Sequence, residues 1–133
     1  SAFALHPDLA IATDVTIPGD HPRVTKKDAS VEMGKAPVLV LASASGRGLL
    51  ADNRLVTWLR SAGDKKKIPY QLEVGDGGNT DASIINLVRD GIPSIPLSVP
   101  SRYIHSPVEV VDLKDVEATI DLLVEALKKK PKI

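Results

Sequence analysis

Four short runs of small and β-branched residues constrain this chain more than any other feature. They are residues 9–17 (LAIATDVTI), 37–42 (PVLVLA), 69–74 (PYQLEV) and 92–99 (IPSIPLSV). Each has the length of a strand, and β-branched side chains suit a pleated, buried surface. Proline and glycine break the chain after the first run, in Pro18-Gly19-Asp20-His21-Pro22. Between and after the runs lie stretches with helical spacing. Asp52 is an N-cap for a helix to about Lys67, with Leu55, Trp58, Leu59 and Ala62 on one face. Thr80 or Asp81 caps a second helix over residues 82–90, which Gly91 stops. Asp112-Leu113-Lys114-Asp115 resembles a capping box with an acid in place of Glu. The helix after it runs to Lys130, with Val116, Ile120, Leu123, Val124 and Leu127 on its expected inner face, and Pro131 ends it. Strands alternating with helices imply an α/β fold with a mostly parallel sheet and right-handed crossovers.

The remaining segments read more plainly. Residues 1–5 form a last helical turn before Pro7. Residues 23–33 are loop or edge strand, and residues 43–48 and 100–107 are loops. Pro93 and Pro96 make the fourth strand irregular or partly exposed.

Composition narrows the function classes. At 133 residues the chain is about one domain, with 43% hydrophobic and 26% charged residues, the balance of a globular protein. Seventeen basic and seventeen acidic residues leave no net charge, so no basic footprint for nucleic acid exists. Cysteine is absent, which excludes disulfides and thiolate metal sites and leaves the redox compartment open. The longest apolar run, near residues 36–44, is too short to cross a bilayer, and residues 1–8 do not read as a secretory leader. The lysine runs at 65–67 and 128–130 sit at helix carboxyl ends, where positive charge complements the helix dipole.

In α/β sheets chemistry gathers at the carboxyl ends of strands. Three regions qualify here: residues 14–22, 75–81 and 100–107. Asp14 is a carboxylate inside an apolar run, which is costly unless paired, hydrogen-bonded or metal-bound. Backbone N–H groups or an arginine would satisfy it as well as a metal would. Asp20 and His21 read as an exposed turn. Gly77-Gly78-Asn79-Thr80-Asp81 lets backbone approach a ligand ahead of a helix, but it is neither a Walker loop nor a dinucleotide fingerprint. A tight turn capped by Asp81 explains it too. His105 is a possible metal ligand or base, or an incidental loop residue, as His6 is. No Gly-x-Ser-x-Gly elbow and no His-Glu-x-x-His pair occurs. Residue pattern alone stops at an α/β domain with a candidate carboxylate–imidazole site.

Five strings in fixed order carry a resemblance. They are Asp14-Val15-Thr16-Ile17, Ile68-Pro69-Tyr70-Gln71, Thr80-Asp81-Ala82, Arg102-Tyr103-Ile104-His105-Ser106-Pro107 and Glu109-Val110-Val111-Asp112. Together they resemble the dinuclear-metal aminopeptidases of the tetrahedral (TET) type, the glutamyl-aminopeptidase and FrvX-like family, across essentially the whole chain. The resemblance implies a three-layer α/β/α catalytic domain, zinc-peptidase-like, interrupted by a dimerisation insert that is absent here. It implies two divalent metal ions, zinc or cobalt, bridged by an Asp. By motif, Asp14 resembles the terminal Asp ligand of one ion and His105 the late His ligand of the other. A Glu general base activates the water that attacks the first peptide carbonyl. That Glu, its ligand neighbour, the first His and the bridging Asp have no counterpart in this chain and are expected upstream of Ser1. Ser1-Ala2-Phe3 resembles the end of the helix after that Glu-Glu pair. Residues 1–133 thus correspond to the C-terminal portion of the catalytic domain, with no catalytic residue of their own. Gly77, Gly78 and Asn79 lie beside the substrate pocket in the resemblance. Asn79 and Ser83 stand where many relatives have glycine, which bears on the preferred N-terminal residue.

The implied parent is a cytoplasmic, homo-oligomeric metallo-aminopeptidase acting on peptides, without nucleic-acid or membrane partners. The missing N-terminal part of its domain is the chain's first partner, and the fragment alone is expected to be inactive. Two other readings compete. One is a truncated or degenerate domain kept for assembly or binding. The other is glycoside hydrolysis, since some members of the family are labelled endoglucanases. A glycosidase needs paired carboxylates beside a sugar cleft, usually with aromatic platforms, and aromatic residues are only 3% of this chain.

Overall fold

The computed structural model describes residues 1–44, 48–75 and 77–133. Part of the loop expected over residues 43–48, and Asp76, lie outside the described residues. The elements in order are α1 (Ala2–Leu5), β1 (Ala10–Thr16), β2 (Val38–Ser43), β3 (Leu49–Leu50) and α2 (Asn53–Lys66). Then come β4 (Gln71–Gly75), α3 (Ala82–Ile85), β5 (Ser94–Arg102), β6 (Val110–Val111) and α4 (Leu113–Leu127).

β1 and β5 run parallel over seven residue pairs, from Ala10 opposite Ser94 to Thr16 opposite Pro100. β2 and β4 run parallel over five pairs, with a register shift between Val40 and Ala42. Short antiparallel ladders of two pairs each join β2 to β5, β2 to β3 and β5 to β6. Parallel pairing therefore predominates, as the alternation of runs and helices implied, within a mixed sheet.

Period-two alternation explains the layering. In β2, Leu39 joins the core with Leu55, Leu59, Ile95, Leu97 and Leu122 on the face covered by α2 and α4. Its neighbours Val38 and Val40 pack with Val31 instead. In β1, Ile11 packs against the first cluster, whereas Ala12 packs with Leu49 and Ala82 of α3. Both faces are buried, which is why the strands read as near-continuous apolar runs. The result is an α/β/α sandwich.

Both long helices start where the sequence places them. The Asp52 side chain accepts from the Arg54 N–H, and that of Asp112 from the Lys114 N–H, each at about 2.8 to 2.9 Å. The Trp58 indole N–H donates to the Lys129 carbonyl at 2.8 Å and ties the end of α4 to α2.

Several expectations need correction. Residues 23–33 take the loop alternative of their reading, as turns and loop, and need none. α3 is a single turn ending at Ile85, and the Asp81 side chain makes no capping bond. Gly91 does adopt a left-handed φ of 96°. β5 is neither irregular nor exposed: it extends to Arg102, and Pro96 is fully buried in it. The ladder to β2 pairs only Leu97 and Ser98, so it stops just short of Pro96, whose missing N–H is not called on there.

The largest correction concerns α4. Ile120, Val124 and Leu127, assigned to its inner face, are 55, 51 and 63% exposed. Asp115, Thr119, Leu122, Glu125 and Ala126 are buried instead. Polar residues turn inward because partners wait for them. Asp115 accepts the Gly34 N–H at 2.6 Å, and Thr119 donates to the Asp115 carbonyl at 2.6 Å. Glu125 sits between Lys65 and Lys128, at 3.1 and 2.7 Å. The two lysine runs thus supply an ion-pair network as well as charge at helix ends. Lys128, then Lys65, hold the Glu125 carboxyl down at about 2.

Candidate functional site

The carboxyl ends of β1 and β5 lie side by side because the two strands are parallel neighbours. Asp14 is in β1, opposite Ser98 of β5. Its Oδ1 accepts the Val15 N–H at 2.8 Å. Part of its carboxylate is therefore satisfied locally, as the plainer reading of the sequence allowed. His105 follows β5 by three residues, is exposed, and has a φ of 63°. Its backbone N–H donates to Glu109 Oε1 at 2.6 Å, which holds the turn that presents the imidazole.

Asp14 and His105 line one cavity of about 160 Å³. Gly77, Gly78 and Asn79 line it too, so every site residue read from the sequence reaches the same hollow. The Ser43 hydroxyl anchors the glycine loop by donating to the Gly78 carbonyl at 2.6 Å. Gly78 needs its glycine, because its φ of 81° is unfavourable to other residues. A Cβ at Gly77 would meet no atom of the described residues within 4 Å beyond its chain neighbours, so crowding at the Cβ does not explain that glycine.

The cavity also holds groups that the sequence reading missed. Glu73, 8% exposed, lies in β4 and takes the Thr16 hydroxyl at 2.9 and 3.0 Å on its two oxygens. Burial pushes the Glu73 carboxyl up, and the Thr16 hydrogen bond only partly offsets it. A charged residue inside an apolar run was the available signal, the same one that singled out Asp14. The hydroxyls of Thr80, Ser83 and Ser98 also line the cavity, buried and without hydrogen-bond partners among the described residues. Serine and threonine carry no such signal in a sequence. Asp20 and His21, read as an exposed turn, contact Arg102 and Tyr103 across the mouth of the two strands.

A carboxylate and an imidazole suit borderline divalent ions such as zinc or cobalt. Among the described residues, no cluster of three or more His, Cys, Asp or Glu side chains could hold an ion. The donors present thus fit part of a ligand set and fall short of a complete one.

Fold and cavity define an α/β domain with oxygen and nitrogen donors gathered at the carboxyl edge of its sheet, the usual place for a ligand. The family profile described as M42 glutamyl aminopeptidase matches residues 1–122, and the chain belongs to that family. A lysyl aminopeptidase of Pyrococcus furiosus is 34% identical over 135 residues, covering 96% of this chain and 36% of the relative. An aminopeptidase structure from the archaeon Desulfurococcus kamchatkensis superposes with a TM-score of 0.85 at 44% identity, covering 95% of this chain and 35% of that one. A TET aminopeptidase structure from a marine-sediment thaumarchaeote gives 0.88 at 36% identity, covering 96% and 35%. The chain spans about a third of the length of the curated relatives it matches.

Proposed function

We propose that this chain is the C-terminal portion of the catalytic domain of a metal-dependent aminopeptidase, whose complete form removes N-terminal residues from peptides. The observation that carries the reading is the convergence of Asp14 and His105 on one cavity at the ends of two parallel neighbouring strands. Family membership supplies the reaction class.

In this reading Asp14 gives a carboxylate oxygen to one divalent ion, zinc or cobalt, and His105 gives an imidazole nitrogen to a second. Bound ions would supply Lewis acidity toward a peptide carbonyl and toward water. The protein's own contribution is to fix the donors. The Val15 N–H orients the Asp14 carboxylate, and the Glu109 carboxylate holds the His105 turn. Gly77, Gly78 and Asn79 form a wall on which the substrate's N-terminal residue rests. The general base and remaining ligands come from the preceding part of the same domain. The complete protein is a cytoplasmic homo-oligomer.

Two experiments test this. In the complete protein, Asp14→Ala and His105→Ala should each lower the bound metal below the wild-type stoichiometry and reduce hydrolysis of aminoacyl anilides. Wild-type metal content in both variants would remove these residues from the site. The purified 133-residue chain should not hydrolyse those anilides, because it carries one ligand for each ion and no general base. Robust turnover by that chain alone would refute the division of the site.

A further inference from the structure

The segments that carry Asp14 and His105 are tied to each other beyond their strands. The Arg102 Nη2 donates to Asp20 Oδ2. Beside that ion pair, the His21 and Tyr103 rings pack with centroids 4.9 Å apart at 59°. Asp20 is fixed from a second side, since its Oδ1 accepts the Met33 N–H at 3.2 Å. Burial works against the charged Asp20 carboxyl, but the Arg102 hydrogen bond and charge and the Met33 N–H hold it below the usual range. The Arg102 Nε is buried and unpartnered among the described residues, so the guanidinium's recorded bonding goes to Asp20.

The turn after Arg102 needs such support. Tyr103 and His105 have φ of 60° and 63°. Left-handed backbone is unfavourable for a non-glycine residue and persists only where its surroundings impose it. Within the turn, the Ser106 hydroxyl donates to the Tyr103 carbonyl at 2.6 Å, and Glu109 takes the His105 N–H. These bonds shape the turn but do not place it relative to β1. Among the described residues, the Asp20–Arg102 ion pair and the His21–Tyr103 ring contact cross from one exit segment to the other.

We infer that the Asp20–Arg102 ion pair clamps the exit of β1 to the exit of β5, setting the separation of Asp14 and His105, so that both are positioning residues for the metal pair. The inference rests on the ligand reading above. Arginine suits this role because a planar guanidinium meets a carboxylate in fixed geometry, which lysine does not reproduce.

The test uses the complete protein with Asp20→Asn and Arg102→Gln, singly and together, and Arg102→Lys as the mild variant. Cobalt affinity, measured by calorimetry, should fall about tenfold in each single variant, the low end for residues that orient ligands. The double variant should lose no more than either single one, because the pair acts as a unit. Arg102→Lys should fall between wild type and Arg102→Gln. In the metal-free protein, amide exchange over residues 103–106 should speed up by about the same factor while α2 and α4 exchange as before. Faster exchange with cobalt affinity within twofold of wild type would overturn the positioning role. Unchanged exchange over residues 103–106 would overturn the clamp itself. Should the Asn and Gln variants fail to fold, the Arg102→Lys affinity and exchange decide the matter alone. Unchanged cobalt binding in Asp14→Ala and His105→Ala would instead overturn the ligand reading.

Discussion

Asp14 lies opposite Ser98 in the β1–β5 ladder, and the fully buried Ser98 hydroxyl has no hydrogen-bond partner among the described residues. A buried, unpaired hydroxyl carries its desolvation cost without return. Ser98→Ala in the 133-residue chain should leave the free energy of unfolding unchanged or raise it by up to about 1 kcal/mol. Urea unfolding measures this. A loss of more than about 1 kcal/mol would mean that the hydroxyl makes a stabilising hydrogen bond in solution.

Glu73 gives a pH dependence of definite sign. Its carboxyl is raised by burial, so above the ordinary glutamate range the folded state holds more protons than the unfolded one. Its contribution is fully present below the unfolded pKa and is lost as pH rises through the folded pKa. Asp115, also raised by burial, adds a slope of the same sign. Glu73→Gln should flatten the fall in stability across that window, so that relative to wild type the variant gains stability from about pH 4 to pH 8. Denaturant unfolding of both proteins between about pH 4 and 8 reads the difference. Parallel curves would show that Glu73 does not titrate differently on folding.

Glu125 works in the opposite sense. Lys128 and Lys65 hold its carboxyl at about 2, below the value of 4.5 for an unperturbed glutamate. Its stabilisation is complete above the unfolded pKa and is lost as pH falls through the folded one. Glu125→Gln should therefore lower stability at neutral pH and remove part of the acid-induced loss between about pH 4.5 and 2. High salt should shrink the neutral-pH difference, since both lysines are largely exposed. A variant as stable as wild type at neutral pH and low salt would count against the bracket.

How much of this was legible in the sequence depended on where each residue's partner lies. Strand runs were legible because both sheet faces are apolar, so Leu39 and its neighbours Val38 and Val40 all signal burial. The caps at Asp52 and Asp112 were legible because their acceptors reach only two residues ahead. Asp14 and His105 were singled out by residue type and by motif. Glu73 carried the same signal as Asp14 but no motif, and its partner Thr16 lies 57 positions away, while the Asp20–Arg102 pair joins residues 82 positions apart. Pro96 misled because proline usually marks an edge strand, whereas here the neighbouring ladder ends beside it.

α4 shows the same limit most sharply and gives the plainest test. Its sequence holds two apolar stripes. One contains Ile120, Val124 and Leu127, and the other contains Leu122 and Ala126. Counting apolar residues favours the first. The second is chosen because Gly34 and Lys65, far away in the chain, offer partners to Asp115 and Glu125 on that side. Leu122, fully buried among Leu39, Leu55, Leu59, Ile95 and Leu97, should cost about 3 kcal/mol on replacement by alanine. Ile120→Ala and Val124→Ala, at half-exposed positions, should each stay within about 0.5 kcal/mol in the 133-residue chain, helped by the higher helix propensity of alanine. Chemical denaturation of the three variants separates the two orientations. The reverse order of losses would mean that α4 turns the other stripe inward, and that the Gly34 N–H and Lys65 do not set its rotation.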